Sequence, residues 1–311
     1  MVITVTLNAA IDRTYEVTSF SLGQMHWPEQ MRTVAGGKGI NVARILRALG
    51  HEVIASGLAG GGAADFIRRD LERHGILTDF VRIEEESRLC IAIVDTRHRR
   101  TTRLDERGPL VLPSELDALR RKLLDLLDRS RLLILSGSIP RGVPFNIYAM
   151  LIELAREKGV PAVLDTRDQP LEEGVRAKPM MLKPNLEELQ QLCGEELSVP
   201  DGVLQAAREL VRSGIEVVFV TLGPKGAIVT TDKNGDWLAE PPGIEVVNSV
   251  GSGDAAVGGF ASGVLEEMEM QRCIARAIGA AAANAATFGA CACSRDDILR
   301  LAALATVRPL S

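Results

Sequence analysis

Apolar runs of strand length alternate with amphipathic runs of helix length through nearly the whole chain, and few folds accept that pattern. The strand-like runs are Val2–Leu7, Val53–Gly57, Leu132–Ser136, Ala162–Asp165, Met180–Leu182 and Val217–Leu222. Between them, Ile40–Leu49, Ala64–Arg73, Ser114–Leu127, Phe145–Glu157 and Asp201–Arg212 carry apolar residues at helical spacing. Such alternation predicts an α/β fold, a largely parallel sheet covered by helices. Most of these strands end in a polar or glycine-rich turn, and in open α/β sheets ligands collect at those carboxyl ends. No long linker or internal repeat interrupts the series, so a single domain over residues 1–311 is expected.

Two stretches break the rhythm. Residues 11–34 and 88–104 read as short extended pieces without helices between them. Ile91–Thr96, a basic turn at Arg97–Arg100 and Thr101–Leu104 form a hairpin pattern. A small separate sheet over one end of the core is predicted, and a lid is its natural role, because lids exclude water from a reactive phosphate.

Charge narrows the partners. The net charge of −5 argues against non-specific nucleic-acid binding and leaves room for a local basic pocket. No uncharged apolar run reaches membrane-spanning length, so no membrane partner is expected. Met1–Leu7 opens directly as a strand, without a basic leader or cleavage site, and five scattered cysteines suit a reducing cytoplasm. Cys291-Ala292-Cys293 is too little for a zinc site.

The most telling chemistry lies at Glu245–Phe260, where a β-branched run breaks at Gly251-Ser252-Gly253 and a small-residue helix follows. Glycines there let several N–H groups converge at a helix N-terminus, which makes an anion site. An acid at that turn, Asp254, is costly beside a phosphate unless it takes up a proton there. A phosphoryl-transfer centre with Asp254 as base follows. The same glycines also satisfy the loose dinucleotide pattern Gly251-x-Gly253-x-x-Ala256, but a dehydrogenase needs a second parallel strand soon afterwards. Ala255–Ala290 is instead helical in composition.

Other turns add weaker signals. Gly36-Gly37-Lys38-Gly39-Ile40-Asn41 precedes a helix whose Val42, Ile45, Leu46 and Leu49 share one face. Its glycines permit close approach of a ligand, Lys38 supplies a charge and Asn41 a paired donor and acceptor. Gly39 follows the lysine, so this is not a Walker A loop. Arg88 and Arg103, with Lys38, would make a receptor for a phosphate already on the substrate. Ser136-Gly137-Ser138 sets two hydroxyls at a strand end. In Lys183-Pro184-Asn185-Leu186-Glu187-Glu188, Asn185 caps a helix, and with Glu188 it is suited to hold waters of a nucleotide-bound magnesium. Thr221-Leu222-Gly223-Pro224-Lys225-Gly226 leaves a strand and turns back into one at Ala227–Thr231.

Taken in order, Thr6–Asp12, Gly36–Asn41, Ser136–Pro140, Lys183–Glu188, Thr221–Gly226 and Val250–Asp254 resemble the ribokinase-like (PfkB) family of sugar kinases across nearly the whole chain. Within it the match is to the branch acting on hexose phosphates. The resemblance implies a ribokinase-like α/β core with a β-sheet lid, often a homodimer joined through the lids, using ATP and Mg2+. Fructose 1-phosphate is the implied acceptor, and tagatose 6-phosphate or fructose 6-phosphate could take its place. A kinase of unphosphorylated sugars or nucleosides and a non-catalytic sugar-phosphate sensor on the same fold are competing expectations. Carried over by position, Asp254 is the base, and the amides of Gly251, Ser252 and Gly253 stabilise the transferring group. Asp12, Gly37 and Asn41 hold the sugar; Lys38, Arg88, Arg103 and Ser138 hold its phosphate. Lys183, Asn185, Glu188, Thr221, Gly223 and Gly226 line the ATP and magnesium side, with Asn284 near adenine.

The chain departs from this pattern in places. Ala9 stands for a common proline, Gly23–Trp27 replaces a lid segment that often carries a basic residue, and Ser252 replaces a smaller residue. Asp165-Thr166-Arg167-Asp168 and Asp105-Glu106-Arg107-Gly108 replace glycine-bearing turns of other composition. Changes near the substrate bear on which sugar is used more than on the reaction.

Overall fold

The computed structural model describes residues 1–310. Its first strands are β1 (Val2–Thr6), β2 (Ala10–Val17), β3 (Gln30–Gly36), β4 (Val53–Gly60), β5 (Leu77–Ile83), β6 (Arg88–Asp95) and β7 (Arg100–Asp105). Then come β8 (Leu132–Ser136), β9 (Ala162–Asp165), β10 (Met181–Leu182), β11 (Val217–Thr221), β12 (Ala227–Thr231), β13 (Gly235–Glu240) and β14 (Thr306–Leu310). The helices are α1 (Lys38–Ala48), α2 (Gly61–Arg73), α3 (Pro113–Leu127), α4 (Ile147–Glu157) and α5 (Asp168–Arg176). They continue with α6 (Leu186–Cys193), α7 (Asp201–Arg212), α8 (Ser252–Leu265), α9 (Met270–Ala285) and α10 (Arg295–Leu304).

The large sheet runs β14-β13-β12-β11-β10-β9-β8-β1-β4-β5. From β5 to β11 every pairing is parallel, and the last three strands are antiparallel. Helices cover both faces, which is why central strands such as β4 and β8 are buried along their whole length. From β1 the chain moves outward to β4 and β5, then returns to β8 on the other side. The order therefore reverses at β1 and β8, and a crevice opens above their carboxyl ends.

The small sheet, in the order β3-β2-β6-β7, rises from that crevice. Strand β2 follows β1 after a short turn and pairs antiparallel with β3 and parallel with β6. Both breaks in the alternation thus supply one sheet.

Helix α8 is packed from all sides: every residue from Asp254 to Gly263 is buried. A Cβ on Gly258 would lie 2.7 Å from Ile45 of α1, and one on Gly259 2.6 Å from the Arg276 carbonyl of α9. Small residues let α8 thread between those helices. The stretch Ala255–Ala290 is not one helix, because it turns between α8 and α9, with Glu267 at φ +53°.

Strands β5, β13 and β14 and helices α5 and α10 are absent from the pattern read in the sequence. Pro309 in β14 and Pro170 and Gly174 in α5 blur their periodicity; β14 is an edge strand, where proline is tolerated. Among the described residues, no helix is long and apolar enough to cross a membrane.

Candidate active site

The crevice deepens into a cavity of about 500 Å³. Strand ends supply Thr6 of β1 and Asn8 after it, Gly137 and Ser138 after β8, Thr166 and Arg167 after β9, Lys183 after β10, and Thr221 of β11. Helix starts supply Gly37, Lys38 and Asn41 from α1, Asn185 and Glu188 from α6, and Gly251, Gly253 and Asp254 from α8. The small sheet closes the cavity with Asp12, Arg88, Cys90, Arg103 and Asp105.

At its base lies the turn into α8. Gly251 takes φ +85°, a left-handed conformation that glycine adopts without strain. The amides of Gly251 and Gly253 have no acceptor among the described residues, whereas that of Ser252 donates to the Ser249 carbonyl at 3.2 Å. The expected three-amide cradle is therefore narrower: Ser252 is not in the lining, and its Oγ accepts from Asn284 Nδ2 at 2.9 Å. Asp254 is buried and accepts from Asn41 Nδ2 at 2.8 Å. Burial pushes its carboxyl up to about 6, with nearby Asp165 adding to the rise, against Lys38, Lys183 and the Asn41 hydrogen bond.

Beside Asp254 sits an ion triad built on a buried carboxylate, which sequence reasoning noticed only as a departure. Asp165, fully buried at the end of β9, accepts from Lys38 Nζ and Lys183 Nζ at 3.2 Å each, both on Oδ1. Ser136 Oγ donates to its other oxygen at 3.2 Å. Burial alone would raise this carboxyl, but Lys183 and Lys38 outweigh it and hold it below the ordinary range. The Lys38 ammonium is raised in turn, because Asp165, Asp254 and Glu188 overcome the effect of its own burial. The turn at Gly137 is fixed from behind by Tyr148 Oη and Thr166 Oγ1, which donate to its carbonyl at 2.8 and 2.9 Å.

On the lid side, Asp12 lies against Gly36, whose added Cβ would fall 2.2 Å from the Asp12 carboxyl carbon. That contact is why glycine stands there. Burial pushes Asp12 up, opposed by Arg103 and Arg88. Arg88 donates to the carbonyls of Asn8 and Glu106 at 3.2 and 3.3 Å, and Arg103 donates to Asp105 at 3.2 Å. Of the three cations expected to receive a substrate phosphate, Lys38 and Arg103 each have a carboxylate, and Arg88 has none among the described residues. Three buried oxygens in the lining, Thr6 Oγ1, Asn8 Oδ1 and Asn41 Oδ1, have no hydrogen-bond partner among the described residues.

On the opposite side, Asn185 and Glu188 form a reciprocal cap, each side chain accepting the other's amide at 2.8 Å. Gly223 and Gly226 do not line the cavity. Gly226 is needed for packing, since a Cβ there would meet the Ala239 carbonyl of β13 at 1.9 Å. Asn284 is turned inward and fully buried. It donates to the Val250 carbonyl at 2.9 Å and accepts from the Cys291 amide at 2.6 Å, so it props the turn into α8 and does not line the site. The residues that sequence reasoning missed, Asn8, Cys90, Asp105, Thr166 and Arg167, adjoin motifs it had found.

The sequence matches the pfkB family carbohydrate kinase description over residues 5–297. A tagatose-6-phosphate kinase of Staphylococcus epidermidis is 35% identical over 280 residues, covering 89% of each chain. Phosphofructokinase-2 from Escherichia coli, solved in complex with substrates and products, superposes with a TM-score of 0.92 at 27% identity, covering 97% of this chain and 98% of that one. A Thermotoga maritima protein described as a possible 1-phosphofructokinase gives 0.88 at 28% identity, with 100% of both chains covered. Matched over residues 5–297 and 35% identical to a curated kinase over most of its length, with Asp254 at a helix start ringed by strand ends and covered by a small sheet, the chain belongs to the pfkB family of carbohydrate kinases.

Proposed function

We propose that this carbohydrate kinase transfers the γ-phosphoryl group of ATP to a hydroxyl of a ketohexose monophosphate. The observation that carries the reading is Asp254, a buried carboxylate with a raised pKa, beside the free amides of Gly251 and Gly253 in one cavity. Phosphoryl transfer needs alignment, donors for the equatorial oxygens and a base near the nucleophile, with little covalent work by the protein. Asp254 takes the proton of the attacking hydroxyl. The two amides, with Lys183 opposite Gly253, stabilise the charge on the transferring group; a backbone donor set of this kind is worth about 3–4 kcal/mol.

A polyhydroxylated acceptor suits the lining. Thr6 Oγ1, Asn8 Oδ1 and Asn41 Oδ1 are buried acceptors without a donor among the described residues, and sugar hydroxyls are donors. Asp12, Gly37 and Asn41 hold the sugar, and Arg88, Arg103, Lys38 and Ser138 its phosphate. The names of the relatives point to ketohexose phosphates. Fructose 1-phosphate is the acceptor implied by the motifs, and tagatose 6-phosphate the one favoured by the Staphylococcus relative.

ATP lies on the side of Lys183, Asn185 and Thr221. Glu188 fits a water-held magnesium, since one of its oxygens caps Asn185 and the other has no donor among the described residues. The metal neutralises charge on the phosphates when bound. The small sheet acts as a lid. Its exposed Leu22, Met25, Trp27, Met31 and Leu104 suit contact with a second copy of the chain, which supports a homodimer through the lids. ATP as donor argues for a cytoplasmic enzyme.

An ADP-release assay across fructose 1-phosphate, tagatose 6-phosphate, fructose 6-phosphate, fructose, ribose and adenosine tests the reading. Turnover confined to the unphosphorylated acceptors would sink it.

A further inference from the structure

Lys38 and Lys183 come from different parts of the chain and face different parts of the cavity. Lys38 opens α1, with its Cβ 3.6 Å from the position a Cβ would take on Gly137, next to Ser138. Lys183 follows β10, with its ammonium 3.5 Å from the corresponding position on Gly253. Between them stands Asp165, and a single oxygen of it serves both at 3.2 Å.

We infer that Asp165 is a positioning residue that parks Lys38 and Lys183 between the two halves of the site and hands them to phosphate oxygens as the substrates bind. The inference rests on the proposed kinase reading for the identity of those phosphates.

Three observations favour this role over a stabilising ion cluster. Two ammoniums share one carboxylate oxygen and repel each other, so neither has that counter-charge to itself and an incoming anion can take either one over. Both contacts, at 3.2 Å, are longer than the roughly 2.7–2.9 Å of an optimised charge-assisted hydrogen bond, so neither lysine is held in its tightest geometry. The Lys183 side chain is only 4% exposed, so water cannot hold it in readiness, and a buried ammonium needs a resident counter-charge before substrate arrives. Asp165 itself cannot follow the lysines. It is fixed by Ser136 Oγ, and its carbonyl accepts the Gly137 amide at 2.9 Å.

The test removes the charge and keeps the shape. Asp165→Asn should tighten competitive inhibition by inorganic phosphate about tenfold, because both lysines are then free for the anion. The same variant should lower kcat more than tenfold while KM for the sugar phosphate changes less, and it should move the acidic limb of the kcat/KM profile to lower pH. In a Lys38→Met background, adding Asp165→Asn should cost less kcat than it does in the wild type. A purely structural role would lower the melting temperature and kcat without tightening phosphate binding, and that outcome overturns the inference.

A measurement on the unaltered protein guards against a variant that does not fold. The 15N-ammonium resonances of Lys38 and Lys183 should both shift when inorganic phosphate and then MgATP are added. If neither moves, or only one does, the shared hand-over is refuted. This readout needs no turnover, so failure of every acceptor in the kinase assay would remain distinguishable from failure of the lysine exchange.

Discussion

Asn41 donates its amide Nδ2 to Asp254 Oδ2 at 2.8 Å and so joins the first turn of α1 to the first turn of α8. One carboxylate oxygen is thereby committed to the protein, and the other has no hydrogen-bond donor among the described residues. The bond also holds the base more acidic than burial alone would make it. Asn41→Ala should therefore shift the acidic limb of kcat/KM upward in pH, opposite to the shift expected from Asp165→Asn.

Removing the base should separate binding from chemistry. Asp254→Asn is expected to lower kcat by about 10²–10⁴, the usual scale for a lost general base. ATP affinity, measured by titration calorimetry, should stay nearly unchanged. Activity close to normal in this variant would end the assignment.

The pH dependence has a definite sign. With Asp254 as the proposed base, kcat/KM should rise as pH increases through about 6, the position to which burial pushes this group. Stability responds in the opposite sense. The folded protein holds this proton more tightly than the unfolded chain between the ordinary carboxyl value of 3.8 and about 6, so the associated stabilisation is lost as pH rises through that window. Asp165, held below the ordinary range, stabilises the fold above 3.8, and its contribution fades as pH falls. Melting curves collected from pH 4 upward, compared between the wild type and Asp254→Asn, would read the first effect.

Arg103 lies on the small-sheet side of the cavity, half-exposed and paired with Asp105. Arg103→Ala should raise KM for the sugar phosphate by about 10–100-fold, equivalent to a charged hydrogen bond of about 1.5–3 kcal/mol. Stability should change little, because an exposed ion pair contributes about 0–1 kcal/mol. A change confined to KM for ATP would move this residue to the other side of the site.

Packing at α8 makes a separate prediction. Gly258→Ala would drive a methyl group to 2.7 Å from Ile45 and should destabilise the fold by about 1–3 kcal/mol. Gly243→Ala, where an added Cβ meets nothing within 4 Å, should stay within about 0.5 kcal/mol. Thermal melts of the two variants side by side distinguish a packing effect from a general intolerance of alanine.

The parallel part of the sheet was legible in the sequence because buried strands such as Leu132–Ser136 are unbroken apolar runs flanked by amphipathic helices. The edges were less so. Strand β14 carries Pro309 and charged Arg308, and its pairing with β13 depends on residues brought together from distant parts of the chain. At the site, short glycine-rich motifs mark where the backbone turns, so most of the named residues do line one cavity. Which polar groups then pair with one another is a property of the assembled fold. Asp165 reads as an ordinary strand-end acid until β8, α1 and β10 surround it, and Asn284 reads as a ligand-facing amide until α9 turns it toward Val250. Gly226 shows the converse, a glycine beside a binding turn that serves the close approach of β13.

The threading of α8 between α1 and α9 has a consequence for biogenesis. The hydrogen bond between Asn41 and Asp254 spans 213 residues of sequence, and α9 ends at Ala285 in a chain of 311 residues. The start of α1 can take local shape early in synthesis, but Asp254 has no support until the C-terminal helices have emerged and packed behind it. Contacts of such long range are closed late and slowly. A ribosome-bound chain that stops before α9 should therefore hold much of its secondary structure and show no kinase activity.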